Sequence, residues 1–168
     1  MPRHQQLGHG FGPFIPRRPK YLFLGTFPSV KSREQEFYYG HPQNNFWKLL
    51  SDIFEDDVPE SLAEKKAFLD RHDIAVYDVI ESCEIIGSSD SSIRNIVPTD
   101  IEALVREHDI ETIIVNGRLA EKIFKQYHPK LTATYVPSSS PANAAMSYDK
   151  KLAAWRKAVL WDQEEPSE

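Results

Sequence analysis

The 168-residue sequence predicts a single α/β domain, a three-layer α/β/α sandwich on a four-stranded parallel sheet. Two observations predict it. Tyr21–Leu24, Ile74–Ile80, Thr112–Val115 and Thr132–Val136 are continuous apolar runs rather than alternating ones, as strands buried on both faces require. The segments between them repeat apolar residues at helical spacing, and strands alternating with helices build a parallel sheet covered on both sides.

The first strand stops at Gly25, and a polar loop is expected from there to Gln43. Phe46–Phe54 (FWKLLSDIF) carries its apolar residues on one helical face, with Asn44 or Asn45 available as N-cap. Ser61–His72 is a second helix, Ser61 and Glu64 being spaced as a capping box. The β-branched run Ile74–Ile80 is the second strand, and a serine-rich loop follows it. The next helix opens at Thr99 or Asp100, the third strand ends at Asn116-Gly117, and residues 118–127 are helical. After the fourth strand and the loop PSSSPANAAM, Tyr148–Trp161 closes the domain. Residues 1–161 are expected to be that domain, and Asp162–Glu168 (DQEEPSE) a disordered acidic tail.

Composition excludes several classes. No apolar run approaches the roughly 20 residues of a membrane span. The first 20 residues mix Pro, Gly, His and Arg without an apolar stretch, so a secretory signal is not expected. One cysteine, Cys83, cannot form an intramolecular disulfide, an all-cysteine zinc site or a cysteine-ligated iron–sulfur cluster. The histidines and acids show no HExxH or paired-ligand spacing, so neither a metal nor a cofactor is expected. A cytoplasmic monomer is the expectation (nucleoid-associated in a prokaryote). The net charge of −5 argues against a polyanionic partner, but its distribution does not. Residues 1–48 hold 7 Lys/Arg against 2 Asp/Glu, residues 49–112 hold 5 against 17, and residues 113–168 hold 8 against 6. Such a chain has either one face that tolerates a polyanion and one that repels it, or merely solvated acidic helices.

In parallel sheets, ligands bind beyond the carboxyl ends of the strands. Here those ends carry GTFPS (25–29), DVIESC (78–83), Asn116-Gly117 and VPSSSPANA (136–144), all polar or small. GTFPS allows close backbone approach or is simply a tight turn; no P-loop pattern exists anywhere in the chain. YYGHPQNNFW (38–47) packs four aromatics, a histidine and two asparagines into ten residues. Aromatics there can stack a nucleobase, and an asparagine oxygen can hold a water. Phe46 and Trp47 are better read as core, while Asn44 is either a water holder or a helix cap. The small hydroxyls of residues 136–144 suit a phosphate backbone at a helix N-terminus, or form a linker.

With these segments in hand, the chain resembles the uracil-DNA glycosylase superfamily and, within it, the hypoxanthine-DNA (deoxyinosine) glycosylase branch. LFLGTFPS, YYGHPQNNFW, IAVYDVIESC, GSSDSSI, VNGRLA and VPSSSPANA carry the resemblance in order, from about His9 to Trp161, and HGFGPFI (9–15) looks like the branch's opening segment. The resemblance implies a small α/β/α sandwich that flips a damaged nucleotide out of DNA and hydrolyses its N-glycosidic bond. Uracil-removing relatives place an Asp or Asn where this chain has Phe27, and the resemblance moves the water-activating role to Asn44 in HPQN. Gln43 and Ser89 also depart from the pattern, standing where Arg and Leu are common. Glycoside hydrolysis passes through an oxocarbenium-like sugar, so a positioned water is needed rather than a strong base.

The resemblance then assigns the base pocket to Gly25, Thr26, Phe27, Tyr39, His41, Asp78 and Asn116. The turn amides of Gly25–Phe27 would stabilise the departing base, and Tyr39 would stack on it. Asp78 stands where relatives commonly have Asn. As an acceptor it would read N1–H of hypoxanthine or N3–H of uracil; otherwise it braces the strand end. Pro137, Ser138, Ser139, Ser140 and Asn143 would grip the DNA backbone. The expected substrate is DNA bearing hypoxanthine first, uracil or xanthine second. The rival readings are a uracil-preferring mismatch glycosylase, a catalytically inactive DNA-binding relative and a generic flavodoxin-like hydrolase.

Overall fold

In the computed structural model, which describes residues 3–141 and 145–160, two sheets meet at one strand junction. In chain order the strands are β1 (Gln5–Gly8), β2 (Tyr21–Gly25), β3 (Ile74–Asp78), β4 (Ile80–Ile85), β5 (Arg94–Pro98), β6 (Thr112–Asn116) and β7 (Thr134–Val136). The helices are α1 (Val30–Gln35), α2 (Phe46–Phe54), α3 (Leu62–Arg71), α4 (Ile101–His108), α5 (Arg118–Tyr127) and α6 (Tyr148–Val159).

The four expected parallel strands form one sheet in the order β3-β2-β6-β7. Strand order reverses between β2 and β6, and a crevice opens at such a switch point. Every residue of β2 and β3 is buried, which explains why both read as continuous apolar runs. Over β2, Phe23 stacks on Trp155 of α6 with centroids 5.6 Å apart and meets Phe46 of α2 edge-on at 5.7 Å. Each such side chain contributes about 1.5–3 kcal/mol by leaving water. Phe46 and Trp47 are core, as expected. The capping box of α3 is present in full, and Asp100 rather than Thr99 caps α4, its carboxylate accepting from the Ala103 amide.

Four departures have physical reasons. The run Ile74–Ile80 is not one strand: it breaks at Val79, and β4 leaves for a second, antiparallel sheet ordered β1-β4-β5. That sheet was not legible because β1 and β5 lie mostly in solvent and carry no continuous apolar run. Helix α1 lies inside the expected polar loop; six residues without an apolar face leave no period to read, and Ser29 caps it. Strand β7 begins at Thr134 rather than Thr132. The expected tail, Asn143 and the last residue of the closing helix, Trp161, lie outside the described residues.

Candidate active site

The carboxyl ends of the parallel strands surround a cavity of about 460 Å³. Its walls come from the turn after β2, the end of β3, Asn116 at the end of β6 and residues 138–141 after β7, with Tyr39, His41 and Asn44 closing one side. The four strand-end segments chosen from the sequence therefore do converge.

Its floor is built around Gly25 and Asp78, which face each other across the β2–β3 ladder. A Cβ on residue 25 would lie 2.6 Å from Asp78 Oδ1 and 3.0 Å from the Tyr39 hydroxyl, so only glycine lets the carboxylate and the phenol close over this strand end. Asp78 is buried, and a buried carboxylate needs donors. His9 supplies one: its Nε2–H donates to Asp78 Oδ2 at 2.7 Å. The main chain of Asp78 is also pinned, because the Thr99 hydroxyl donates to its carbonyl at 2.7 Å. Oδ2 is thus occupied, and Oδ1 is the oxygen turned toward Gly25 and Tyr39.

Tyr39 departs from the expected role in one respect. One face of its ring already lies flat on Phe46, with centroids 3.9 Å apart and planes 13° apart, so only the other face is available to a base. Its backbone sits at φ +52°, a left-handed conformation rare for a bulky residue. Its buried hydroxyl lies beside the Asn116 amide without a well-formed hydrogen bond, and burial, with the nearby Asp78, pushes the phenol far above its ordinary value, so it remains a donor.

Asn44 is not the N-cap of α2, though it bonds the first turn and lines the cavity. The helix N-cap position belongs to Asn45, but Asn44 Oδ1 accepts the Phe46 N–H at 2.9 Å while the residue faces the cavity. This bond fixes the direction of the amide oxygen and leaves one lone pair for another donor. His41 also faces the cavity, its Nδ1 accepting from the Gln43 amide at 3.1 Å. Thr26 and Phe27 form the turn wall, and the Arg33 guanidinium sits 6.0 Å over the Phe27 ring.

Asn116 reaches the cavity with its amide oriented by Ser139: Oδ1 accepts from the Ser139 N–H at 3.0 Å and Nδ2 donates to the Ser139 hydroxyl at 2.9 Å, which leaves one lone pair and one hydrogen. The assignment of the serine loop needs correction. Ser139 is 1% exposed, and its carbonyl takes the Asn45 N–H at 2.9 Å. Ser139 therefore ties β6, the post-β7 loop and the start of α2 together and cannot present its side chain to a phosphate. Pro137 is likewise buried, its carbonyl accepting from Trp155 Nε1 at 2.8 Å. Of the described residues proposed to grip DNA, only Ser138 and Ser140 are part-exposed, and both line the cavity. The helix that follows the loop, α6, starts only at Tyr148 under its own cap, Ser147.

Comparison with known proteins decides the family. The family model "Uracil DNA glycosylase superfamily" matches residues 12–163. The chain belongs to this superfamily. Among curated superfamily relatives, a protein named hypoxanthine DNA glycosylase from Methanosarcina acetivorans is 30% identical over 149 residues, covering 84% of this chain and 92% of that one. A protein of the same name from Methanosarcina barkeri is 27% identical over 155 residues, covering 89% and 96%. The solution NMR structure of a candidate uracil DNA glycosylase from M. acetivorans superposes with a TM-score of 0.78 at 26% identity, covering 92% of this chain and 98% of that one. Within this superfamily member, sequence reasoning gave no site role to Tyr38, Ile85 or Ser88, which line the cavity, nor to His9, although it opens the HGFGPFI segment. His9 precedes the matched region and lies 69 positions from Asp78; only the pairing of β1 with β4 brings it there.

Proposed function

We propose that the protein is a monofunctional DNA glycosylase for deaminated bases, hypoxanthine first and uracil or xanthine second. The single observation that carries this reading is the Asp78 carboxylate, buried, held by His9 and turned with Oδ1 toward the cavity at the strand ends. A carboxylate only accepts, which suits the N1–H of hypoxanthine and opposes the bare N1 lone pair of adenine. The names of the Methanosarcina relatives support the same substrate class.

In this reading the flipped nucleotide enters the cavity, its base edge toward Asp78 and one face on the free side of Tyr39. The C1′–N bond breaks and its electron pair leaves with the base, assisted by the turn amides after β2. A water held by the remaining lone pair of Asn44 Oδ1 adds its oxygen to C1′, and its proton passes through solvent to the departed base. Asn44 orients this water without taking its proton. Phe27, in place of an acid or amide, lends only a wall.

The test is a single-turnover panel of duplexes containing hypoxanthine, uracil, xanthine or a thymine mismatch. Hypoxanthine should be released fastest, leaving an abasic site and no strand break. Binding to the damaged duplexes without release of any base would replace this reading with that of an inactive DNA-binding relative.

A further inference from the structure

We propose that His9 is a positioning and specificity-determining residue: it holds Asp78 as an acceptor-only carboxylate with Oδ1 presented to the flipped base. The inference rests on the base-reading role proposed for Asp78 and extends it to the small antiparallel sheet, whose Ile85 also lines the cavity.

The geometry is specific. β1 pairs with β4 up to Gly8↔Ser82, and the His9 amide continues the pairing by donating to the Glu81 carbonyl at 2.9 Å. This places the imidazole, 3% exposed, among four aromatic rings: Tyr77 at 4.4 Å, Phe11 at 4.6 Å, Tyr38 at 5.6 Å and Phe27 at 6.2 Å between centroids. The box fixes the ring plane. Nδ1 meets no partner inside it, so the one polar contact of the ring is Nε2 with Asp78.

Among the described residues, no lysine or arginine forms an ion pair with Asp78; its one charge-compatible partner is His9. The other polar groups beside it are the phenols of Tyr38, Tyr39 and Tyr77 and the acid Glu81, which Tyr77 engages at 2.6 Å. Without the imidazole donor, Oδ2 has no partner to hold it, and the carboxylate is free to turn so that Oδ1 no longer meets the base. Hypoxanthine N1–H then loses its acceptor, whereas a base with a bare N1 lone pair loses nothing. His9 thus sets the preference without touching the substrate.

The test compares single-turnover release of hypoxanthine with that of unsubstituted purine, whose N1 offers a bare lone pair, by the full-length wild type and its variants. His9→Leu should lower the hypoxanthine-to-purine ratio by about tenfold or more, while His9→Gln, whose amide reaches the Nε2 position, should keep it within about threefold. In an Asp78→Asn background His9→Leu only frees the amide that His9 would otherwise orient, so it should lower the ratio no further. If His9→Leu does not fold, His9→Asn, which keeps an amide but falls short of Asp78, takes its place against His9→Gln. A ratio unmoved by Leu or Asn, with all rates falling together, or a Gln variant as unselective as Leu, overturns the inference and leaves His9 a structural brace. A wild type that releases no hypoxanthine overturns the proposed function and the inference with it.

Discussion

Replacing Asp78 by Asn inverts the hydrogen-bond character of the pocket floor while keeping its shape, and the structure fixes which way the new amide turns. His9 Nε2–H points at the present Oδ2 from 2.7 Å. The amide must therefore offer its oxygen to His9. The other histidine tautomer would leave an N–H at Nδ1 buried in the aromatic box without an acceptor, at a cost of about 1–3 kcal/mol. The NH₂ group consequently occupies the Oδ1 position over Gly25. It turns a hydrogen toward the base. Hypoxanthine N1–H now meets a donor, and adenine N1 meets a partner. A buried mismatch of about 1–3 kcal/mol narrows the hypoxanthine-over-adenine margin by roughly 5- to 150-fold, at about 1.4 kcal/mol per factor of ten. Single-turnover release from matched hypoxanthine and adenine duplexes measures it, with circular dichroism and melting to confirm folding. A folded Asp78→Asn protein with an unchanged margin would refute the reasoning and leave Asp78 a brace for the strand end.

The other outcomes follow from equally local geometry. Asn44→Ala should lose about 10²-fold or more in single-turnover base release. Its stability should fall by only about 0.5–2 kcal/mol for the lost bond to the Phe46 amide; a near-normal rate would remove the water from this residue. Gly25→Ala puts a methyl 2.6 Å from Asp78 Oδ1, so it should cost about 1–3 kcal/mol in denaturant titrations and at least about tenfold in base release; a full rate would show that the floor tolerates the displacement. Away from the site, hydrogen bonds from Arg71 and then His72 hold the Asp56 carboxyl at about 2, below its ordinary 3.8. A lowered folded-state value stabilises the protein above about pH 4, and that contribution is lost as pH falls toward about 2. The melting-temperature gap between wild type and Asp56→Asn should therefore close across that window; a constant gap would locate the stabilisation elsewhere.

The sequence by itself determined the parallel sheet, because strands buried on both faces must be continuous apolar runs and β2, β3 and β6 have no other way to be covered. It also determined the neighbourhood of the site, since the loops at the carboxyl ends of such strands must converge, and GTFPS, Asp78, Asn116 and the serine loop do. Tertiary structure alone decided which of these groups face a ligand. Asn116 and Ser139 read as open polar groups in one dimension, but their short side chains bond each other across 23 positions, a pairing that no local pattern encodes. Tyr39 reads as a free stacking ring until Phe46 takes one of its faces. His9 could be read as the start of HGFGPFI, but its role could not, for the same reason. Its function depends on β1 pairing with β4, an antiparallel register set by backbone hydrogen bonds between largely polar strands, and backbone groups leave no mark on the pattern of side chains.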